Sequence, residues 1–292
     1  MMLPRFDGRF LISFMFVEPM KNIFRLWLPV AFCTLLNNGF SQSYRPVSVS
    51  LAEGLAQSSV YCIAQDNIGY TWMGTQDGLC RYDGIGFKIY RDDPFDSLSI
   101  SSNFITALHF DKRGWMWAGT QHSGLNVFIP GTAKFRHITM ENTNGFPSNN
   151  IYRIDSDSYG NLWIATGNGL ALLEIAKEKD VFQATVQCFA LNGDEFKKQG
   201  ESFQVFDFAF TTDNHVWIAS SAGLMQYEWK NKLFILKNHF HRNNSGLSSD
   251  RIVSLVTDNT GTLILATSKT LYELEGLQLK PLVTGYLVPQ GT

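Results

Sequence analysis

Apolar positions in this chain fall in short runs rich in Val and Ile, and each run leads into the same polar and aromatic sequence. The run from Val60 is followed by Asp66, Gly69 and Trp72. Runs from Ile105, Ile151, Val205 and Ile252 lead to Asp111-Gly114-Trp117, Asp157-Gly160-Trp163, Thr211-Asn214-Trp217 and Asp258-Gly261-Ile264. A second apolar column stands three residues into each run, at Ile63, Leu108, Ile154, Phe208 and Leu255. The centres Trp72, Trp117, Trp163, Trp217 and Ile264 are spaced 45, 46, 54 and 47 residues apart. Five copies of one unit follow, the last two degenerate.

Each column predicts an element. A short β-branched run before the Asp reads as a strand buried on both faces. Asp followed three residues later by Gly or Asn closes a tight turn, the carboxylate accepting backbone N–H groups and the Gly supplying positive φ. The Trp then sits on a second strand. Two residues beyond it stand Gly74, Gly119, Ala165, Ala219 and Ala266, small enough for neighbouring sheets to approach, each followed by Thr or Ser. Asp77-Gly78 and Asn168-Gly169 turn the chain into a third strand, and a second turn leads to a fourth.

Four short antiparallel strands at such a period predict an all-β β-propeller of four-stranded antiparallel blades over residues 44–292. A helical solenoid is excluded, because no copy sustains a 3.6-residue apolar period. The repeated Trp should pack between adjacent sheets.

The first 43 residues read differently. From Met20, Lys21 and Arg25 precede an 11-residue apolar run, Leu26 to Leu36, and then Gly39, Ser41 and Ser43. These are the three parts of a secretory signal peptide. The run is shorter than the roughly 20 apolar residues of a spanning helix, and Pro29 would break a buried one. Cleavage after Ser41 or Ser43, a true start at Met20 and a periplasmic mature protein are the expectations.

Composition narrows the chemistry. With 24 Lys+Arg against 26 Asp+Glu, the net charge is -2, which offers no basic field to a polyanion. Direct nucleic-acid binding is therefore not expected, nor is a membrane span within the chain. The four Cys are too few for a disulfide scaffold and form no C-x-x-C pair. Cys62 and Cys80 fall on the first and third strands of one sheet, roughly 9.5 Å apart. A disulfide needs Cα atoms within about 7 Å, so free, buried thiols are expected.

In a propeller, the turns between second and third strands and the loops leading to each inner strand open on one face. They carry Gln76, Asp77, Gln121, His122 and Asn168 from the turns, and Asn103, Asn149, Asn150 and Asp250 from the loops. Amides, carboxylates and a His in an aromatic framework suit sugar hydroxyls, which need donors and acceptors in pairs, although turns use the same residues for local reasons. Asp66, Asp111, Asp157 and Asp258 belong to the opposite face and close their turns, so no catalytic role is assigned to them. His239 and His241 could share a strand face but lack a visible third ligand, so surface histidines are expected and no metal or other cofactor. No G-x-S-x-G, H-E-x-x-H, P-loop or kinase signature occurs.

The stretch D-x-x-G-x-x-W-x-G-T-x-x-G-L-x-R-Y-D-G, present as Asp66 to Gly84 and followed by Phe87, resembles the two-component regulator propeller repeat, as does Gly246 to Asp250. That family forms the N-terminal periplasmic sensor of hybrid histidine kinases, many of which detect glycan fragments. The resemblance implies seven-bladed rings, an oligosaccharide ligand and a homodimer through the propeller. The segment Tyr44 to Ser50 stands where the fourth strand of a preceding blade would lie, and Leu277 to Val283 can complete the fifth copy on its own. The five blades are therefore expected to form an incomplete seven-bladed ring, truncated near Thr292. The functional expectation is a non-catalytic ligand-sensing propeller. A secreted polysaccharide lyase or hydrolase and a protein-interaction scaffold are the alternatives.

Overall fold

The computed structural model describes residues 48–128, 131–174, 185–189, 203–211, 215–230 and 233–284. The expected leader over 1–43 lies outside the described residues. All described strands fall in one compact unit, Val49–Thr292.

The strands form five four-stranded sheets, each a meander in chain order. Blade one holds β1 (Val60–Gln65), β2 (Thr71–Thr75), β3 (Gly78–Tyr82) and β4 (Phe87–Tyr90). Blade two holds β5 (Ile105–Phe110), β6 (Met116–Thr120), β7 (Leu125–Phe128) and β8 (Phe135–Ile138). Blade three holds β9 (Ile151–Ser156), β10 (Leu162–Thr166), β11 (Gly169–Glu174) and β12 (Thr185–Phe189). Blade four holds β13 (Val205–Phe210), β14 (His215–Ser220), β15 (Gly223–Lys230) and β16 (Leu233–Phe240), followed by the short helix α1 (Arg242–Ser245). Blade five holds β17 (Ile252–Thr257), β18 (Leu263–Thr267), β19 (Thr270–Glu275) and β20 (Gln278–Thr284). The fold is an all-β propeller arrangement, and the fifth copy supplies its own outer strand.

The inner strands lie side by side, β1 against β5, β5 against β9, β9 against β13 and β13 against β17. Among the described residues β17 makes no comparable contact with β1. The inner strands are also less buried than expected. Residues of β1 alternate between half-buried and exposed, whereas β6 and β10 are buried throughout. An inner strand has a sheet neighbour on one side only, so solvent reaches its free edge. At the end of the row, Ile63 is 65% exposed, while Ile154, Phe208 and Leu255 in the same column are 2, 3 and 7% exposed beneath the preceding blade.

The Trp column does what its spacing predicts. Trp117 packs with Ile151 and Ile154 of the next blade, Trp163 with Val205 and Phe208, and Trp217 with Ile252 and Leu255. The small residue beside it permits the approach. A Cβ added at Gly119 would land on Cγ2 of Ile151, and one at Gly74 would come within 2.8 Å of Cγ2 of Ile105.

The turn Asp also holds the Trp. In blade one Asp66 Oδ1 accepts the N–H groups of Ile68, Gly69 and Tyr70, while Oδ2 accepts the indole N–H of Trp72 at 2.9 Å. Asp111 and Asp157 make the same bond to Trp117 and Trp163, each at 3.1 Å. Asp258 closes its turn by accepting from Thr260 and Thr262, with Ile264 in the Trp column. At the other end of the second strand, the hydroxyls of Thr75, Thr120, Thr166, Ser220 and Thr267 are fully buried. Each donates to a carbonyl across the following turn and accepts an N–H from within it.

A β-bulge occurs in all five inner strands, at Tyr61, Thr106, Tyr152, Phe206 and Val253. A bulge adds an unpaired residue and re-aims its side chain. Here the side chain turns to the next blade: the ring of Tyr61 lies 4.8 Å from that of Phe104, Thr106 donates to Ile151 O at 2.6 Å, and the rings of Tyr152 and Phe206 are 5.3 Å apart.

Candidate ligand-binding surfaces

Antiparallel pairing puts the β2–β3 type of turn and the loop leading to the next inner strand at one end of each blade, so the nine expected contact residues lie on one face. Most of their polar atoms are engaged there. Asn103 Oδ1 accepts the N–H of Asp92 at 3.0 Å, Asn149 Oδ1 that of Met140 at 2.9 Å and Asp250 Oδ1 that of Arg242 at 2.7 Å. The three equivalent positions thus fasten their own connecting loops. Asn103 O and Asn149 O also accept the N–H groups of Gly78 and Gly124 from the preceding blade, at 2.8 and 2.9 Å. Asp77 pairs with Arg91 at 2.9 Å, His122 Nδ1 meets Asn150 Oδ1 at 2.8 Å, and Asn168 Nδ2 reaches Pro147 O at 3.5 Å. Among the described residues the side-chain amides of Gln76 and Gln121 have no hydrogen-bond partner. These two amides are the groups on this face most available to a ligand.

A second constellation runs along the inner strands. His109 Nε2 lies 2.6 Å from Ser156 Oγ, and its Nδ1 lies 3.7 Å from Asp155 Oδ1. Arg153 spans from Asp155, at 3.3 Å, to Asp207, at 3.7 Å. Asp207 in turn accepts from Ser254 Oγ at 3.0 Å and from the N–H of Leu255 at 2.9 Å. One polar line therefore crosses four blades. Burial pushes the pKa of His109 down against the opposing pull of Asp155 and Asp111, and burial pushes that of Asp207 up. The signal for this line was present in sequence, as charged residues inside otherwise apolar runs.

The third feature is a cleft of about 390 Å³ at the junction of blades three and four, on the face of the Asp turns. It is lined by the β9–β10 turn from Ser156 to Tyr159, by Thr211 and His215 flanking the β13–β14 turn, and by Trp163, Phe210 and Trp229. Two sequence features mark the place: the interval of 54 residues between Trp163 and Trp217, and Thr211 in the Asp column.

The remaining expected chemistry resolves simply. Cys62 and Cys80 are free, on β1 and β3; Cys80 is buried and Cys62 only half-buried, its thiol pushed up to about 12 by burial. His239 is half-buried and its Nε2 lies 2.7 Å from Ala222 O, while His241 caps α1 by accepting the N–H of Asn243. His239 is thus not the freely exposed surface residue expected, because the β14–β15 turn folds over it. Among the described residues no group of three or more His, Cys, Asp or Glu could hold a metal ion. No helix among them is long and apolar enough to cross a membrane.

Comparison with known proteins agrees with this architecture. The family described as Two component regulator propeller matches residues 54–77, 99–122 and 145–168. Histidine kinase P4 of Formosa agariphila is 51% identical over 65 residues, which make up 22% of this chain and 4% of that protein. The extracellular domain of a hybrid two component system from B. thetaiotaomicron superposes with a TM-score of 0.67 at 22% identity, over 82% of this chain and 32% of that one. The chain thus spans about a third of that extracellular domain. Virginiamycin B lyase from Staphylococcus aureus shares the fold with a TM-score of 0.55 at 12% identity, over 81% of this chain and 73% of the lyase. The matched segments coincide with the three copies whose Asp, Gly and Trp columns are intact, each running from the loop before the inner strand to the turn after the Trp strand.

Proposed function

We propose that this chain is the ligand-sensing propeller of an exported hybrid two-component regulator and that it detects glycan-derived signals without converting them. The observation that carries this reading is the run of three consecutive regulator repeats. The leader read from the sequence supports a periplasmic location. Signalling then works by differential affinity: an oligosaccharide that binds one arrangement of a homodimer better than another shifts the equilibrium by that difference alone.

Gln76 and Gln121 are the leading contact positions on the loop face, with Asp77, Asn103, His122, Asn149, Asn150, Asn168 and Asp250 shaping the surface around them. The uncovered face of blade one, with Ile63 at its centre, supports a ring completed by further blades. The alternative of a polysaccharide lyase or hydrolase draws on fold likeness alone.

Incubating the full chain with a panel of polysaccharides and their oligosaccharides tests the reading. Saturable calorimetric binding without new products is the expected result. Release of unsaturated or reducing-end products would overturn it.

A further inference from the structure

We propose that the cleft between blades three and four is a separate binding site for a neutral, hydroxylated ring compound, one or two pyranose units in size. This inference shares the ligand class of the sensor reading but not its face. Sequence and packing both set the junction apart. β9 and β13 contact one another less extensively than the other neighbouring inner strands do, so the blades splay, and the resulting volume of about 390 Å³ lies within the range of small-molecule sites.

The walls of the cleft are aromatic. Trp163 and Trp229 meet edge to face at 5.4 Å and 87°, and Phe210 closes on Trp163 at 5.8 Å and 71°. At other blades such rings are covered by cations. The guanidinium of Arg113 lies 4.2 Å from the ring centre of Trp115, and that of Arg81 lies 4.6 Å from Tyr70 and 5.8 Å from Trp72. Among the described residues no Lys or Arg stacks on Phe210 or Trp229, both half-buried where they line the cleft, so these two supply the apolar wall for the C–H face of a sugar, while Trp163, 1% exposed and stacked on Phe189 at 5.7 Å, backs them from the core.

The charge of the cleft argues against an ionic ligand. The Asp157 carboxylate is consumed by its own turn, accepting from Tyr159 N, Asn161 N, Asn161 Nδ2 and Trp163 Nε1. The rim instead presents hydroxyls, from Ser158 and from Tyr159, which is 84% exposed at the mouth. An apolar platform with a hydroxyl rim matches a pyranose better than a flat aromatic solute.

Titration of the full chain with cellobiose, maltose, lactose and mannobiose, read by intrinsic Trp fluorescence, tests the proposal. At least one disaccharide is expected to give a saturable change, and Tyr159→Ala, at an exposed position, to weaken it about tenfold. Phe95→Ala, at an exposed position in the loop before β5 on the opposite face, should leave that titration unchanged. The proposal falls if no disaccharide gives a saturable change, if Tyr159→Ala titrates like the parent, or if indole binds as well as the sugars. Binding abolished by Gln121→Ala alone would refute the cleft and leave the loop-face sensor reading intact.

Discussion

Asp207 on β13 accepts the backbone N–H of Leu255 on β17 at 2.9 Å, so one side chain of blade four supplies a hydrogen bond that blade five's inner strand cannot find within its own sheet. The same carboxylate takes the hydroxyl of Ser254 and faces Arg153 of blade three. Three blades are tied at one buried residue.

Replacing it tests that tie. Asp207→Ala strands the Leu255 N–H and takes away one of the two carboxylates that face Arg153, a loss of about 2–3 kcal/mol, most of it from the buried N–H bond to a charged group. Asp207→Asn keeps an acceptor and should lose less. Chemical denaturation of the two variants measures the difference, and equal midpoints would show that the bridge contributes nothing.

The buried hydroxyl at the end of each second strand is a second target. Thr166→Val removes the donor to Gly169 O and the acceptor for Asn168 N–H at nearly constant volume. The cost expected is about 1–3 kcal/mol, since the Gly169 carbonyl loses a buried partner. Thr166→Ser should retain most of the stability in thermal melts.

Close approach at Gly119 predicts a steric penalty. Gly119→Ala places a methyl against Ile151 and should destabilise by about 1–3 kcal/mol, as overpacking does. Ile151→Ala in the same chain removes the Cγ2 atom that the new methyl would meet. A double-mutant cycle should therefore show the pair less destabilised than the sum of its members.

Stability should also depend on pH through His109. Burial holds its folded pKa below the ordinary 6.5 against the carboxylates of Asp155 and Asp111, with Arg153 adding to the depression. Below pH 6.5 the unfolded chain takes up the proton first, so stability falls as pH drops through that value towards the folded pKa. His239 is depressed mainly by burial and acts in the same direction. Melting temperatures between pH 7.5 and 5.5 read the slope, and His109→Gln should flatten it; an unchanged slope would remove His109 as its source.

What was legible in the sequence was whatever the repeat enforces locally. Asp66, Asp111, Asp157 and Asp258 bind backbone N–H groups within a few residues, so their spacing to Gly and Trp is set by turn geometry alone. The Trp and small-residue columns were legible as well, because every copy meets the same neighbour and five copies average out local noise. By contrast, the expectation that inner strands are buried on both faces failed: a β-branched run looks alike whether a second sheet or solvent lies against it.

Tertiary structure alone decided the rest, where partners come from different blades. Residues about 45 apart along the chain, such as His109 and Ser156 or Asp207 and Ser254, become neighbours only once the inner strands stand side by side. Three of the five bulges aim Tyr61, Thr106 and Tyr152 across junctions, and no single copy reveals that direction. The cleft beside Trp163 depends on how far β9 and β13 splay, a balance of packing summed over two sheets. Sequence set the strands, turns and their order through short-range hydrogen bonds and periodic burial, and the fold alone chose which loop amides remain free and where a ligand-sized space opens.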